Sequence, residues 1–205
     1  MKLVEQSVYD YLGILDSDAP APGGGSASAL AGAQGAALLA MVCRLTLGKE
    51  KFSDYQKACE EAMEKSQKLF KALIKLIDDD TEAFIMVSDA YKLPKASDDE
   101  KKIRSAAIQD AVIRAAEVPL EVMKSACEGL NIITGLQGKT NPAAQSDLGV
   151  AALNFSAAVG GAWLNVKINL PGIKDAEKAE FFAETGRRIF EAAERADEGL
   201  KWLKS

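Results

Sequence analysis

Two carboxylates stand where carboxylates are costly. Between residues 55 and 90, apolar and small residues recur in steps of three and four: Tyr55, Cys59, Ala62, Ser66, Leu69, Leu73, Leu76, Asp80, Ala83, Val87 and Ala90. That spacing marks one face of a helix. Asp80 falls on the seam, one turn from Leu76, Ile77, Ala83 and Phe84. A carboxylate there meets a partner charge, as a structural salt bridge or cap, or it holds its proton more tightly than an exposed one. Asp78 and Asp79 project elsewhere and are expected to be solvated. The second carboxylate is Asp147. At 100° per residue it shares one helix face with Asn154, Asn165 and Asn169. The stretch from Leu148 to Val166 carries no charge. Buried amides and a carboxylate need partners. So many polar groups on one face favour a polar ligand over other side chains.

A third feature is the turn Pro20-Ala21-Pro22-Gly23-Gly24-Gly25-Ser26. The prolines stop a helix, and the glycines allow positive φ or close approach of another group. Ser26 or Ser28 is expected to cap the following helix. Free N–H groups at such a helix start suit an anion. By itself the turn reads as a well-made cap on a buried helix. It is neither a nucleotide P-loop nor a dinucleotide fingerprint.

Composition narrows the chemistry. The 205 residues contain no histidine. Ser-His-Asp and Cys-His catalysis are therefore excluded, and acid–base work falls to Asp, Glu, Lys, Tyr or Cys. The three cysteines, Cys43, Cys59 and Cys127, lack metal-ligand spacing, so they read as reduced core thiols and no metal is expected. A net charge of −5 argues against nucleic acid and anionic membrane as partners. The N-terminus has no apolar signal core, which points to the cytoplasm.

Helices must position these groups. An amphipathic helix is expected over 3–16, with Val4, Val8, Leu12 and Leu15 as its apolar face. A small-residue helix follows over about 26–47. A long helix over 53–92 is capped by Ser53 or Asp54 and stopped before Pro94. Ser97-Asp98-Asp99-Glu100 is a capping box for the next helix, which Pro119 should kink. A loop at 138–142 precedes a helix from about 146 to 170. That helix reads as buried on all sides rather than membrane-spanning, since Ala and Gly outnumber Leu and Asn154, Ser156 and Asn165 interrupt it. The last helix, about 175–203, has Phe182, Thr185, Ile189, Ala192, Ala196, Leu200 and Leu203 as its stripe. No strand pattern occurs. The expected fold is all-α, a single domain over 1–205: an elongated multi-helix bundle with two small-residue helices packed at its centre.

Several segments occur in one order: Pro20 to Ser26, Asp80-Thr-Glu-Ala-Phe84, Tyr91-Lys-Leu-Pro-Lys95, Ala116-Glu-Val-Pro119, Asn141-Pro-Ala-Ala-Gln-Ser-Asp147 and Asn165-Val-Lys-Ile-Asn-Leu170. Together they make the chain resemble the cyclodeaminase/cyclohydrolase family along nearly its whole length. Thr140 and Ala143 depart from the family pattern, which has Gly and Asn there. The resemblance implies a homodimer and a tetrahydrofolate substrate, with no separate cofactor. It implies hydrolysis of 5,10-methenyltetrahydrofolate, or loss of ammonia from 5-formiminotetrahydrofolate. The first is favoured because this sequence has no transferase domain. A folate-binding helical module without turnover is the alternative of another class. On this reading Asp80 and Asp147 are catalytic, one as base and the other orienting the ring or the nucleophile. Asn141, Ser146, Asn154, Asn165 and Asn169 supply hydrogen bonds to substrate. Gly23, Gly24, Gly25 and Ser26 lie against the flat substrate or bind its glutamate tail. Lys49 is a second candidate for the tail, although alone it reads as a solvated lysine.

Overall fold

Proline and glycine punctuation divides the chain into six helices in the computed structural model, which describes residues 2–200. They are α1 (Val8–Leu15), α2 (Gly24–Thr46), α3 (Gln56–Lys92), α4 (Asp98–Gly135), α5 (Gln145–Asn169) and α6 (Ala176–Gly199). Among the described residues there is no strand. At 1.5 Å per residue α3 and α4 each run about 55 Å, so the bundle is long. The capping box at Ser97 and Glu100 forms in both directions. Asp175 caps α6 through the Lys178 N–H. Leu203 lies outside the described residues.

Small residues place α2 at the centre, packed against α3, α4 and α5. Gly32 faces Leu73 and Ala158, and a Cβ at Gly35 would sit 3.0 Å from the Ala151 carbonyl oxygen. Such approach is open only to residues without bulk. Gly161 faces Ser28, and Gly24 faces Asn165. Residues descending along α2 thus meet residues ascending along α5, and the two helices are antiparallel. Fully buried Phe155 fills the space that a side chain at Gly129 of α4 would need.

Several expectations need correction. Residues 3–16 are not one helix: a 3-10 turn at Leu3–Glu5 precedes α1. Its expected apolar face points outward, with Val8 77% and Leu12 52% exposed, while Tyr11 is buried. The periodicity was real, but the described residues leave Val8 and Leu12 largely uncovered. Gly23, not a serine, is the N-cap of α2. Ser28 donates instead to the Gly24 carbonyl at 2.6 Å. The long helix begins at Gln56 after a 3-10 turn, without the expected serine or aspartate cap. The helix of α4 continues through Pro119.

The largest correction concerns α5. It is not buried on all sides: Val150, Leu153, Leu164 and Ile168 are 47%, 52%, 61% and 76% exposed. By length and composition α2 and the stretch Pro142–Gly172 are each apolar enough to cross a membrane, but the α2 window is mostly packed inside the bundle.

Candidate active site

The site is assembled where the start of α2 meets the middle of α3. The backbone N–H of Ser26 donates to Asp80 Oδ2 at 2.8 Å, and the Ser26 hydroxyl contacts the same oxygen at 3.0 Å. Ser26 Oγ also lies 2.9 Å from the Ile77 carbonyl and 3.3 Å from the Thr81 hydroxyl. The N–H belongs to the first turn of α2, whose free donors and positive end favour an anion. Asp80 Oδ1 has no hydrogen-bond partner among the described residues. Gly25 makes this possible, because a Cβ there would overlap the Asp80 carboxylate. The glycines serve close approach and not unusual backbone: among the described residues only Gly48 and Gly138 have positive φ.

Two effects act on Asp80 in opposite directions. Burial pushes its pKa up, and the Ser26 hydrogen bonds pull it back; burial is the larger, so the pKa is raised. The expected seam position is correct, and the partner is a helix start rather than a countercharge. Asp79, expected to be solvated, is 9% exposed. It pairs with Arg114 at 3.2 Å and Lys75 at 2.5 Å. Asp78 accepts the Leu3 N–H at 2.7 Å and ties the N-terminal segment to α3.

Asn165 of α5 reaches this end of the bundle beside Gly24. Its Nδ2 donates to the Gly161 carbonyl at 2.9 Å, and Asn169 Nδ2 donates to Asn165 and Ala115 carbonyls at 2.9 and 3.0 Å. Asn154 donates to the Val150 carbonyl at 2.9 Å. All three leave Oδ1 without a partner among the described residues. They line one border of the exposed α5 stripe.

The other expected residues lie elsewhere. Asp147 is in the first turn of α5. Eighteen residues separate it from Asn165, about 27 Å along the helix, so within one chain it does not join Asp80. Asn141 clasps the far end of α2: its N–H donates to Thr46 Oγ1 at 2.9 Å and its amide to the Leu45 carbonyl at 3.2 Å. Ser146 and Lys49 are exposed at that same end.

Sequence reasoning missed Thr81 and Tyr11. Tyr11 is 6% exposed and its hydroxyl is buried without a partner. Burial, and then the Asp80 charge, raise its pKa. The available signal was an aromatic three residues after Val8, on the flank of the expected apolar face. The cysteines are all buried, and burial pushes the Cys43 thiol up to about 12, as expected of a core thiol. The described residues contain no cluster of three or more His, Cys, Asp or Glu able to hold a metal.

A half-buried carboxylate held at a glycine-rich helix start, with amides beside it, is a site able to accept or deliver a proton. A family model described as formiminotransferase-cyclodeaminase matches residues 7–188. The chain belongs to this family. Within the formiminotransferase-cyclodeaminase family, it is similar to a methenyltetrahydrofolate cyclohydrolase of Methylorubrum extorquens, 42% identical over 175 residues, covering 85% of this chain and 84% of that protein. It is also similar to the formimidoyltransferase-cyclodeaminase of Gallus gallus, 32% identical over 197 residues. There it covers 96% of this chain but only 36% of the relative, so the chain spans about a third of that two-activity protein. Among solved structures of the family, the formiminotetrahydrofolate cyclodeaminase of Thermotoga maritima superposes with a TM-score of 0.86 at 27% identity, covering 97% and 96% of the two chains.

Proposed function

We propose that this chain is a methenyltetrahydrofolate cyclohydrolase, converting 5,10-methenyltetrahydrofolate to 10-formyltetrahydrofolate in the cytoplasm without a metal or other cofactor. The observation that carries the reading is Asp80: one oxygen is fixed by Ser26 and the other is free, in a partly desolvated position. The methenyl carbon sits between two nitrogens that share a positive charge. A carboxylate beside it stabilises that charge and accepts a proton as water oxygen bonds to the carbon. The C–N5 bond then breaks as N5 takes that proton from Asp80, and the hydroxyl proton passes to solvent water as the C=O bond forms, so one proton is released overall. The result is a formyl group on N10 and a neutral N5. The free Oδ1 of Asn165 accepts from ring N–H groups. The relative from Methylorubrum extorquens supports this reaction over ammonia loss. The cyclodeaminase relatives support the second reading, in which the same carboxylate delivers a proton to departing ammonia.

The reading includes a homodimer formed through α5. Its outward stripe is nearly palindromic. Ala157 and Gly160 mark the centre, Leu153 and Leu164 flank them, and Val150 and Ile168 stand at the ends. A two-fold axis at that centre pairs large residues with large ones and lets the backbones approach at the small ones. It also carries the Asp147 of a second copy toward the Asn165–Asn169 end, beside Asp80. That arrangement supports a role for both carboxylates at one site.

The test follows the methenyltetrahydrofolate absorbance band at mildly acidic pH. The native protein should remove it, and Asp80→Asn and Asp147→Asn should each slow the loss at least about a hundredfold while remaining folded. An Asp80→Asn protein with native turnover refutes the reading. Formation of the band and of ammonia from 5-formiminotetrahydrofolate, without hydrolysis, replaces it with the cyclodeaminase.

A further inference from the structure

The start of α2 leaves part of α3 uncovered. Ser26, in the first turn of α2, meets Asp80, but α3 runs on to Lys92, about 18 Å farther. At about 100° per residue, Phe84, Val87 and Tyr91 fall within about 40° of Asp80. They continue the face that α2 covers lower down, where Leu73 packs on Gly32 and the Ile77 carbonyl meets Ser26. Beyond the start of α2, Phe84 and Tyr91 on that face are exposed.

The uncovered face ends at a basic groove. A cavity of about 340 Å³ is lined by Lys95, Lys101, Arg104, Ser105, Ile108 and Lys174. Arg104 joins it to the α3 face: its guanidinium donates to the Tyr91 carbonyl at 3.0 and 3.3 Å and lies 5.5 Å from the centre of the Tyr91 ring. Lys174 Nζ is held 3.0 Å from Ser105 Oγ. Among the described residues Lys101 alone of these cations pairs with a carboxylate, Asp98 at 2.8 Å. Four cations thus converge in a chain of net charge −5. Their mutual repulsion is relieved when a polyanion joins them.

We propose that α3 beyond Asp80 seats the acidic arm of the substrate, with its benzoyl ring against Phe84 and its glutamyl carboxylates at Arg104, Lys95 and Lys174. The inference rests on the folate reading given above and adds the direction in which the substrate lies. The order of groups agrees: carboxylate, phenyl ring and cations on the protein meet reacting carbon, benzoyl ring and carboxylates on the ligand. The lengths agree as well. Asp80 and Tyr91 are about 16 Å apart along α3. At about 1.1–1.2 Å per bond of an extended chain, a benzoyl ring and one glutamate reach about 10–13 Å from the reacting carbon. Each further γ-linked glutamate adds about 6 Å, so the second and third bring their carboxylates to the groove.

Tetrahydrofolate with one and with three glutamates, titrated calorimetrically against the full chain at low salt, tests this. The native protein should bind the triglutamate at least about tenfold more tightly, and added salt should shrink that advantage. The double variant Arg104→Gln, Lys174→Gln should cut the advantage to about threefold or less while holding monoglutamate affinity within about threefold of native. Phe84→Ala should weaken both ligands about tenfold, and Phe84→Tyr should bind as native. Phe84 and Lys174 are exposed and Arg104 is half-buried, so circular dichroism should show native helix content in each variant. Equal affinity of the native protein for the two ligands overturns the proposal. So does native binding by Phe84→Ala, or a length preference that Lys49→Gln abolishes and the double variant keeps. A Phe84→Ala protein that sediments as a smaller species than native makes this face a contact between copies and also overturns it. If the native protein fails to hydrolyse methenyltetrahydrofolate yet shows both effects, the assigned reaction falls and the arm site stands. If it hydrolyses while tail length and Phe84 change nothing, the reverse holds.

Discussion

Replacing Gly25 with alanine should invert the usual effect of that substitution in a helix. Alanine ordinarily stabilises a helix interior by about 0.5–1 kcal/mol relative to glycine. Here the new Cβ overlaps Oδ1, Cγ and Oδ2 of Asp80. Either α2 backs away from α3, or the carboxylate swings off Ser26. Overpacking of this kind costs about 1–3 kcal/mol. Swinging off forfeits two hydrogen bonds, at 2.8 and 3.0 Å, to a charged group. Each contributes about 1.5–3 kcal/mol where water cannot replace it. Asp80 is only partly buried, so water recovers much of that loss. The net expectation is destabilisation by about 1–3 kcal/mol, a fall in Tm of roughly 2–12 °C for a domain of this size. Turnover should fall with it, because the carboxylate proposed as the base is displaced. Gly24→Ala is the control. Its Cβ would lie 3.3 Å from the Asn165 amide nitrogen, the end of a side chain that can turn aside. Its stability should stay within about 0.5 kcal/mol of native. Urea and thermal melts beside methenyltetrahydrofolate turnover decide the matter. A Gly25→Ala protein with native Tm and turnover refutes the claim that carboxylate packing dictates glycine at this position.

Two other predictions concern charge and assembly. Asp80 has a raised folded pKa, so the folded state binds its proton more readily than the unfolded chain; stability from this group is greatest at low pH and is lost as pH rises through the raised value. Asp80→Asn should therefore be at least as stable as native at pH 7 by urea melts, with the difference shrinking as pH falls. The same shift moves the acid limb of kcat/KM above the ordinary carboxylate range, and a limb at an unshifted pKa contradicts it. In the proposed α5 dimer Leu164→Asp would bury an unpaired charge, which should weaken association at least about a hundredfold. Sedimentation should show monomer with unchanged helix content, and a native dimer would remove α5 from the interface.

Much of the bundle was legible because helix periodicity and capping are local. The Ser97 box, the Asp175 region and the Asp80 seam each follow from residues within a few turns. Asp79 shows where that stops. Its neighbours on α3 say that it leaves the seam, but not that Arg114 of α4 waits on the other side. The same limit hid Tyr11, since a stripe of Val8 and Leu12 identifies the apolar face of α1 without saying what covers it. Among the expected site residues, Gly24, Gly25, Ser26, Asp80 and Asn165 come together. Asp147, Asn141, Ser146 and Lys49 gather at the opposite end of the α2–α5 pair.

The sequence by itself determined the helices, their punctuation, the absence of histidine chemistry and the isolation of one carboxylate on an apolar seam. These depend on residue type and on the 3.6-residue period, which the chain carries wherever it packs. Tertiary structure alone decided that Ser26, 54 residues away, holds Asp80; that Gly25 is small because a carboxylate occupies its space; and that α5 shows an apolar stripe to the outside. A helical period says which residues share a face, whereas only packing says what that face meets.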